Sequence, residues 1–201
     1  MKKSSIPVFI FFTLLFAIPG FTPAGSGLLP GLDAQEVNQG AYNNIINHYG
    51  ARNNYTAGNI SRSDIDKIVT AGIRAPSAGN RQPWHFTVVQ DQALAKRIIS
   101  SLTDGNVLII ISASGDGKTN GPAILDCALA AESIYLAAQA LGYGSRIYTG
   151  PMETVNGLKT ELGFPNGHSA VALVRVGKVQ PVDAASAASA RKSLREVVTY
   201  K

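Results

Sequence analysis

The chain has little of what builds covalent or metallic sites. Of its 201 residues one is cysteine, Cys127, and three are histidine. A single thiol excludes an internal disulfide. Its neighbours Ala128, Leu129, Ala130 and Ala131 suggest a buried helix face, where packing rather than nucleophilic work is expected. His48, His85 and His168 are scattered without metal-ligand spacing, and no Cys/Asp/Glu cluster joins them, so no metal site is predicted. Charge is also sparse, at 15% of residues, with no dense Lys/Arg run. The net charge is +5, and +3 without the first 24 residues, which hold two lysines and no acid. That argues against a nucleic-acid partner, which calls for a clustered basic patch. It is compatible with a phosphate-bearing cofactor. Glycine and proline are too few for collagen-like or low-complexity chains. What is present is apolar: 45% of the residues, enough at this length for one domain with a sizeable core.

The N-terminus reads as a separate object. Lys2 and Lys3 precede an apolar run over residues 6–18, which ends at Pro19 and Gly20 and is followed by the small-residue stretch Thr22, Pro23 and Ala24. Thirteen residues fall short of the roughly 20 that a membrane-spanning helix needs. The anatomy is that of a secretory signal peptide. The expected organisation is a signal over residues 1–24, a linker over 25–34, and one domain with a C-terminal tail over 35–201. The expected location is periplasmic or extracellular, with no stable membrane span after cleavage. The alternative is a tether formed by an uncleaved N-terminal segment.

Periodicity predicts the elements. Val37, Tyr42, Ile45, Ile46 and Tyr49 have loose helical spacing. Ser61 with Asp64 resembles a capping box, Asp replacing the usual Glu, and Ile65, Ile68, Val69 and Ile73 give the helix that follows one apolar face. Strands are predicted over residues 84–89, 106–112, 146–148 and 169–176, and helices over 92–102, 122–141 and 151–162. By itself this alternation suggests α/β architecture, with parallel strands an open possibility.

Two stretches could carry chemistry. Ser112-Ala-Ser-Gly-Asp-Gly-Lys-Thr119 follows a buried strand and resembles a phosphate-cradling loop. However, Ser112 stands where that motif needs Gly or Ala, and Asn120-Gly-Pro122 intervenes before a helix can start at the lysine. A surface loop is the reading it supports. The second, Pro76-Ser-Ala-Gly-Asn80, is a tight small-residue turn between helix and strand, with Gly79 free in its backbone and Ser77 and Asn80 offering polar groups. It can meet the polar edge of a flat heterocycle, or simply cap itself.

The stretch Arg74-Ala-Pro-Ser-Ala-Gly-Asn-Arg-Gln-Pro-Trp-His-Phe-Thr-Val-Val89 closely resembles the signature of nitroreductase-family flavoproteins. Residues 61–73, the stretch from Asp126 through Ser145, and residues 191–198 resemble that family's preceding helix, central helix and tail, in the same order. The resemblance implies an α+β fold: a nitroreductase-like three-layer sandwich whose mixed, largely antiparallel sheet is flanked by helices. It implies an FMN-dependent oxidoreductase and a homodimer with FMN at the interface. Pro76, Ser77, Ala78 and Asn80 match the turn that meets the flavin ring, usually from the partner subunit. Ile147, Tyr148, Thr149 and Gly150 match the segment over the ring, and Arg191 matches a tail residue at the phosphate. The family's Arg-x-Ser-x-Arg-like phosphate grip is reduced here to Arg52 in Tyr49-Gly-Ala-Arg-Asn-Asn54. Losing one bidentate guanidinium should weaken FMN binding. The implied acceptor is a nitroaromatic, quinone or similar small molecule, and no residue is required as general acid or base. NAD(P)H, the family's usual donor, is doubtful for an exported chain. The alternative is a degenerate flavin-binding or structural dimer.

Overall fold

The computed structural model describes residues 40–43, 45–51, 54–115, 121–181 and 190–201. The predicted signal and linker, Arg52, residues 116–120 of the Gly-rich loop, and residues 182–189, which include most of the Ala/Ser-rich stretch 183–190, lie outside them. Residues 40–43 and 45–46 are helical.

Helix α1 (Arg62–Ile73) starts where the sequence places it, with the Ser61 hydroxyl accepting the Asp64 N–H at 3.1 Å. Only half of a capping box forms. The Asp64 carboxylate turns outward to accept from Lys67 Nζ (3.0 Å) and Tyr143 Oη (2.8 Å), and these two partners with Ser61 hold its pKa below the usual carboxylate value. Strand β1 (Trp84–Val89) leads to α2 (Gln92–Ile98), capped by Asp91. The predicted helix ran to residue 102, but Ile99 is extended. β-Branched residues followed by two serines propagate a helix poorly, and the chain instead folds back to bury Ile98 and Leu102. Next come β2 (Val107–Ser114), α3 (Gly121–Ala140), β3 (Gly144–Tyr148), α4 (Met152–Gly157), β4 (His168–Gly177) and the short tail helix α5 (Leu194–Val197).

The strands order as β1-β2-β4-β3, and every hydrogen-bonded pair is antiparallel. The parallel arrangement that alternation left open is therefore corrected, and the family's mixed sheet is purely antiparallel among the described strands. Helix length explains this. At 1.5 Å per residue, α2 and α4 are about 10 Å long, whereas β2 runs for about 27 Å. Such short helices cannot carry the chain back along the sheet to begin a parallel neighbour. Helix α3, about 30 Å long, can. It joins β2 to β3, which do point the same way, but β4 lies between them.

Strand alternation splits the long apolar run of β2 between two cores. Val107, Ile109, Ile111 and Ala113 face α1 and α3, while Leu108 and Ile110 face α2 and α4. The result is three layers, as the resemblance implied. A β-bulge at Ile111/Ser112 lets Ala170 and Leu173 both serve the second core. On that face of β4 stands a buried Arg175, with Nε donating to Asn106 Oδ1 at 2.8 Å and its guanidinium 3.8 Å from the Tyr55 ring centroid. Helix α3 is long and apolar enough to cross a membrane by length and composition. One of its faces, including Cys127, Ile134 and Ala138, is buried in the core. Its approach to α1 is very close: a Cβ added to the buried Gly72 would lie 2.7 Å from Ile134 Cδ1 and Cγ1.

Candidate functional site

The turn that follows α1 is unusual in its backbone. Gly79 (φ 58°), Asn80 (φ 54°) and Gln82 (φ 47°) are all left-handed. Asn tolerates this region, but Gln does so only at a cost of about 1 kcal/mol. Hydrogen bonds hold the shape. Ser77 Oγ accepts the Gln82 N–H at 3.1 Å, and Asn80 Oδ1 accepts from Gln82 Nε2 at 3.1 Å. Arg81 Nε donates to the Ala78 carbonyl at 3.1 Å. The self-capping role of Ser77 and Asn80 is thus present. Even so, Pro76, Ala78 and Asn80 are exposed and Ser77 is half-buried, so the turn presents a small, polar outer face.

Sequence reasoning passed over the group that docks this turn. Asp126, on the second turn of α3, is 3% exposed, and its Oδ1 accepts the Ala78 N–H at 3.0 Å. Its Oδ2 is buried with no hydrogen-bond partner among the described residues. A cavity of about 190 Å³ lies beside it, lined by Arg81, Pro83, Ser114, Pro122, Ala123 and Asp126. A lone acidic residue in the apolar start of a helix was the signal available. Its neighbour Cys127 is fully buried, and burial together with the Asp126 charge pushes its thiol up to about 12, which bears out the packing role.

The other matched segment lies elsewhere. Ile147 and Tyr148 end β3, and Thr149 and Gly150 follow exposed. A Cβ at Gly150 would meet nothing within 4 Å, so the surface there is open. Tyr148 packs on the second core under the Arg146 guanidinium, 5.1 Å from its ring centroid. The start of β1 and the end of β3 occupy opposite edges of the sheet, with β2 and β4 between, and different levels along it, since Trp84 is level with Ala113 and Ser169 whereas Tyr148 pairs with Leu173. Across the sheet alone, at about 4.8 Å per strand spacing, they are about 14 Å apart. One chain therefore does not bring the turn against residues 147–150.

Near β3 a different set assembles. Ala51, the residue before Arg52, is buried and donates its N–H to the Ser145 carbonyl at 2.9 Å. Ser145 Oγ donates to the Tyr135 carbonyl at 2.8 Å and accepts from Gln139 Nε2, whose Oε1 in turn accepts the Tyr49 N–H. Burial raises the pKa of the Tyr135 phenol, and its hydrogen bond with Gln139 opposes that rise. The chain leading to Arg52 and the strand that ends at Ile147 and Tyr148 thus lie together at the β3 edge of the sheet, and the turn precedes β1 at the opposite edge. No group of three or more His, Cys, Asp or Glu able to hold a metal occurs among the described residues.

Residues 47–110 and 100–178 match the model of the Nitroreductase family. A protein of Archaeoglobus fulgidus, provisionally named NADH dehydrogenase/NAD(P)H nitroreductase, is 37% identical over 134 residues, which cover 61% of this chain and 76% of that protein. A protein of the same provisional name from Methanothermobacter thermautotrophicus is 34% identical over 111 residues, 50% of this chain and 58% of its own length. Among solved structures, an FMN-bound nitroreductase from Desulfitobacterium hafniense superposes with a TM-score of 0.65 at 21% identity, covering 78% of this chain and 96% of that one. An FMN-bound nitroreductase from Bacteroides fragilis does so at 0.61 and 24%, covering 80% and 97%. At these identities the structural likeness establishes the fold.

Proposed function

Since the chain belongs to the nitroreductase family, we propose that it is an FMN-dependent oxidoreductase passing two electrons to a nitroaromatic, quinone or similar small acceptor. The observation that carries this reading is the left-handed Pro76–Asn80 turn, which holds its own polar groups in place yet keeps an exposed face, in a family whose solved members include FMN-bound ones. The chain's residues fit the cofactor. The open surface at Gly150 leaves room for a flat ring, and Ile147, Tyr148 and Thr149 line the approach. Pro76, Ser77, Ala78 and Asn80 would meet the ring edge, while Arg191, with Arg52, would meet the phosphate. FMN, when bound, supplies two-electron transfer through its N5 atom. The chain binds and orients it, and Asn80 offers a donor toward the ring's polar edge, where reduction builds negative charge.

The two flavin-binding segments lie on opposite sheet edges, so a complete site draws the turn from a second copy, in a homodimer. The exposure of Leu125 and Leu129 on α3 and of Leu194, Val197 and Tyr200 in the tail supports such an interface. The anatomy of residues 1–24 supports export, to the periplasm or beyond, with an uncleaved tether as the other outcome. An exported protein is separated from NAD(P)H, the donor in its relatives' names, and takes electrons from another source. Cell fractionation tests the location, and a cytoplasmic native protein would remove the reason to look for a different donor. The test of the function itself is purification of the full chain. A yellow dimer that releases FMN on denaturation is expected. A colourless protein that cannot be loaded with FMN refutes the proposal and leaves a structural dimer with the family fold.

A further inference from the structure

Asp126 is the only charged residue among the first eleven of α3. Burying a carboxylate is costly unless something answers its charge. The fold asks little of it, namely one acceptor for the Ala78 N–H, which an uncharged side chain could supply. The second oxygen of Asp126 is buried with no partner among the described residues, beside the cavity that Arg81 also lines. Unsatisfied groups of this kind concentrate where position matters more than stability. Ala78 is gripped on its other side as well, because its carbonyl accepts from Arg81 Nε. The residue matched to the flavin ring is therefore fastened at both its N–H and its carbonyl. The N–H anchor comes from a long core helix rather than from the turn itself.

Building on the FMN reading above, we propose that Asp126 is a positioning residue for the flavin, fixing the Pro76–Asn80 turn through the Ala78 N–H. It touches no cofactor itself; it sets where the ring-facing residues stand. The experiment compares Asp126→Ala and Asp126→Asn with the unaltered full chain. Two quantities are read: hydrogen exchange of the Ala78 amide in cofactor-free protein, and the FMN dissociation constant with the visible flavin spectrum. Asp126→Ala is expected to speed Ala78 exchange and weaken FMN by about tenfold or more, with a changed flavin spectrum. Asp126→Asn keeps an acceptor at the same atom and is expected to remain within about threefold in both. Equal loss in the two variants, or unchanged Ala78 exchange in Asp126→Ala, overturns the proposal. If the unaltered chain fails to bind FMN, the proposed function falls, while Ala78 exchange still decides whether Asp126 holds the turn.

Discussion

Gly72→Ala is expected to destabilise the protein although it improves helix propensity. In the last turn of α1 the exchange should gain at most about 1 kcal/mol. Gly72, however, is where α1 approaches α3, and the new methyl would sit 2.7 Å from two side-chain carbons of Ile134 and 3.2 Å from Phe86. Ile134 is fully buried and cannot swing out into solvent. Overpacking of a fixed core side chain costs about 1–3 kcal/mol, and two contacts this short point to the upper end. The net loss is about 2 kcal/mol. Removing the obstruction should reverse the sign. Ile134→Ala by itself costs about 3–4 kcal/mol through its cavity. In that background the added methyl fills space, so Gly72→Ala should be neutral or stabilising, and the two substitutions should couple by about 2–3 kcal/mol. Urea unfolding of the four proteins, followed by far-UV circular dichroism, gives the cycle. If Gly72→Ala alone is as stable as the parent, or more so, then the helices have slack at this crossing and the close-contact reasoning fails.

Two further outcomes follow from titratable groups. Cys127, buried with its thiol pushed up to about 12, should resist alkylation by iodoacetamide at pH 8 in the native state and react fully in denaturant; reaction in the native protein at the rate of a free thiol would contradict the packing described. The His168 imidazole is held below its ordinary value, chiefly by burial and then by His85, so the unfolded chain takes up the proton first. Stability from this group is therefore present above about pH 6.5 and declines as pH falls through that region. Urea midpoints at pH 7.5 and pH 5 should fall less for His168→Gln than for the parent, and an equal fall would show that this imidazole does not contribute.

Much of the fold was legible because local rules and tertiary packing agree. Ser61 opens α1, and the apolar, mostly β-branched run of residues 107–111 reads as a strand covered on both faces. Strand direction was not legible, since alternation of elements is the same for either sense and only the shortness of α2 and α4 decides it. The early end of α2 was hidden because Ile98 and Ile99 are equally apolar, yet one continues the helix and the other leaves it. The turn at residues 76–80 was visible as a motif, and its composition showed that a positive φ was available at Gly79. The left-handed Gln82 was not foreseeable from residue type. Nor was Asp126, whose partner Ala78 is 48 positions away in the chain. The separation of the turn from residues 147–150 belongs to topology alone.

The placement of β4 between β2 and β3 also bears on how the protein is made. The central pair joins residues as far apart as Val107 and Val176, and the chain between them holds α3, β3 and α4. During synthesis, α1 and the β1–β2 pair can form early, but the inner edge of β2 stays unpaired until β4 arrives. Strand β3 has no neighbour to bond until the same moment. Most of the polypeptide must therefore leave the ribosome before the sheet can close, so closure waits on elongation. For a chain proposed to be exported, such late closure leaves a long interval in which it remains unfolded enough to be threaded across a membrane.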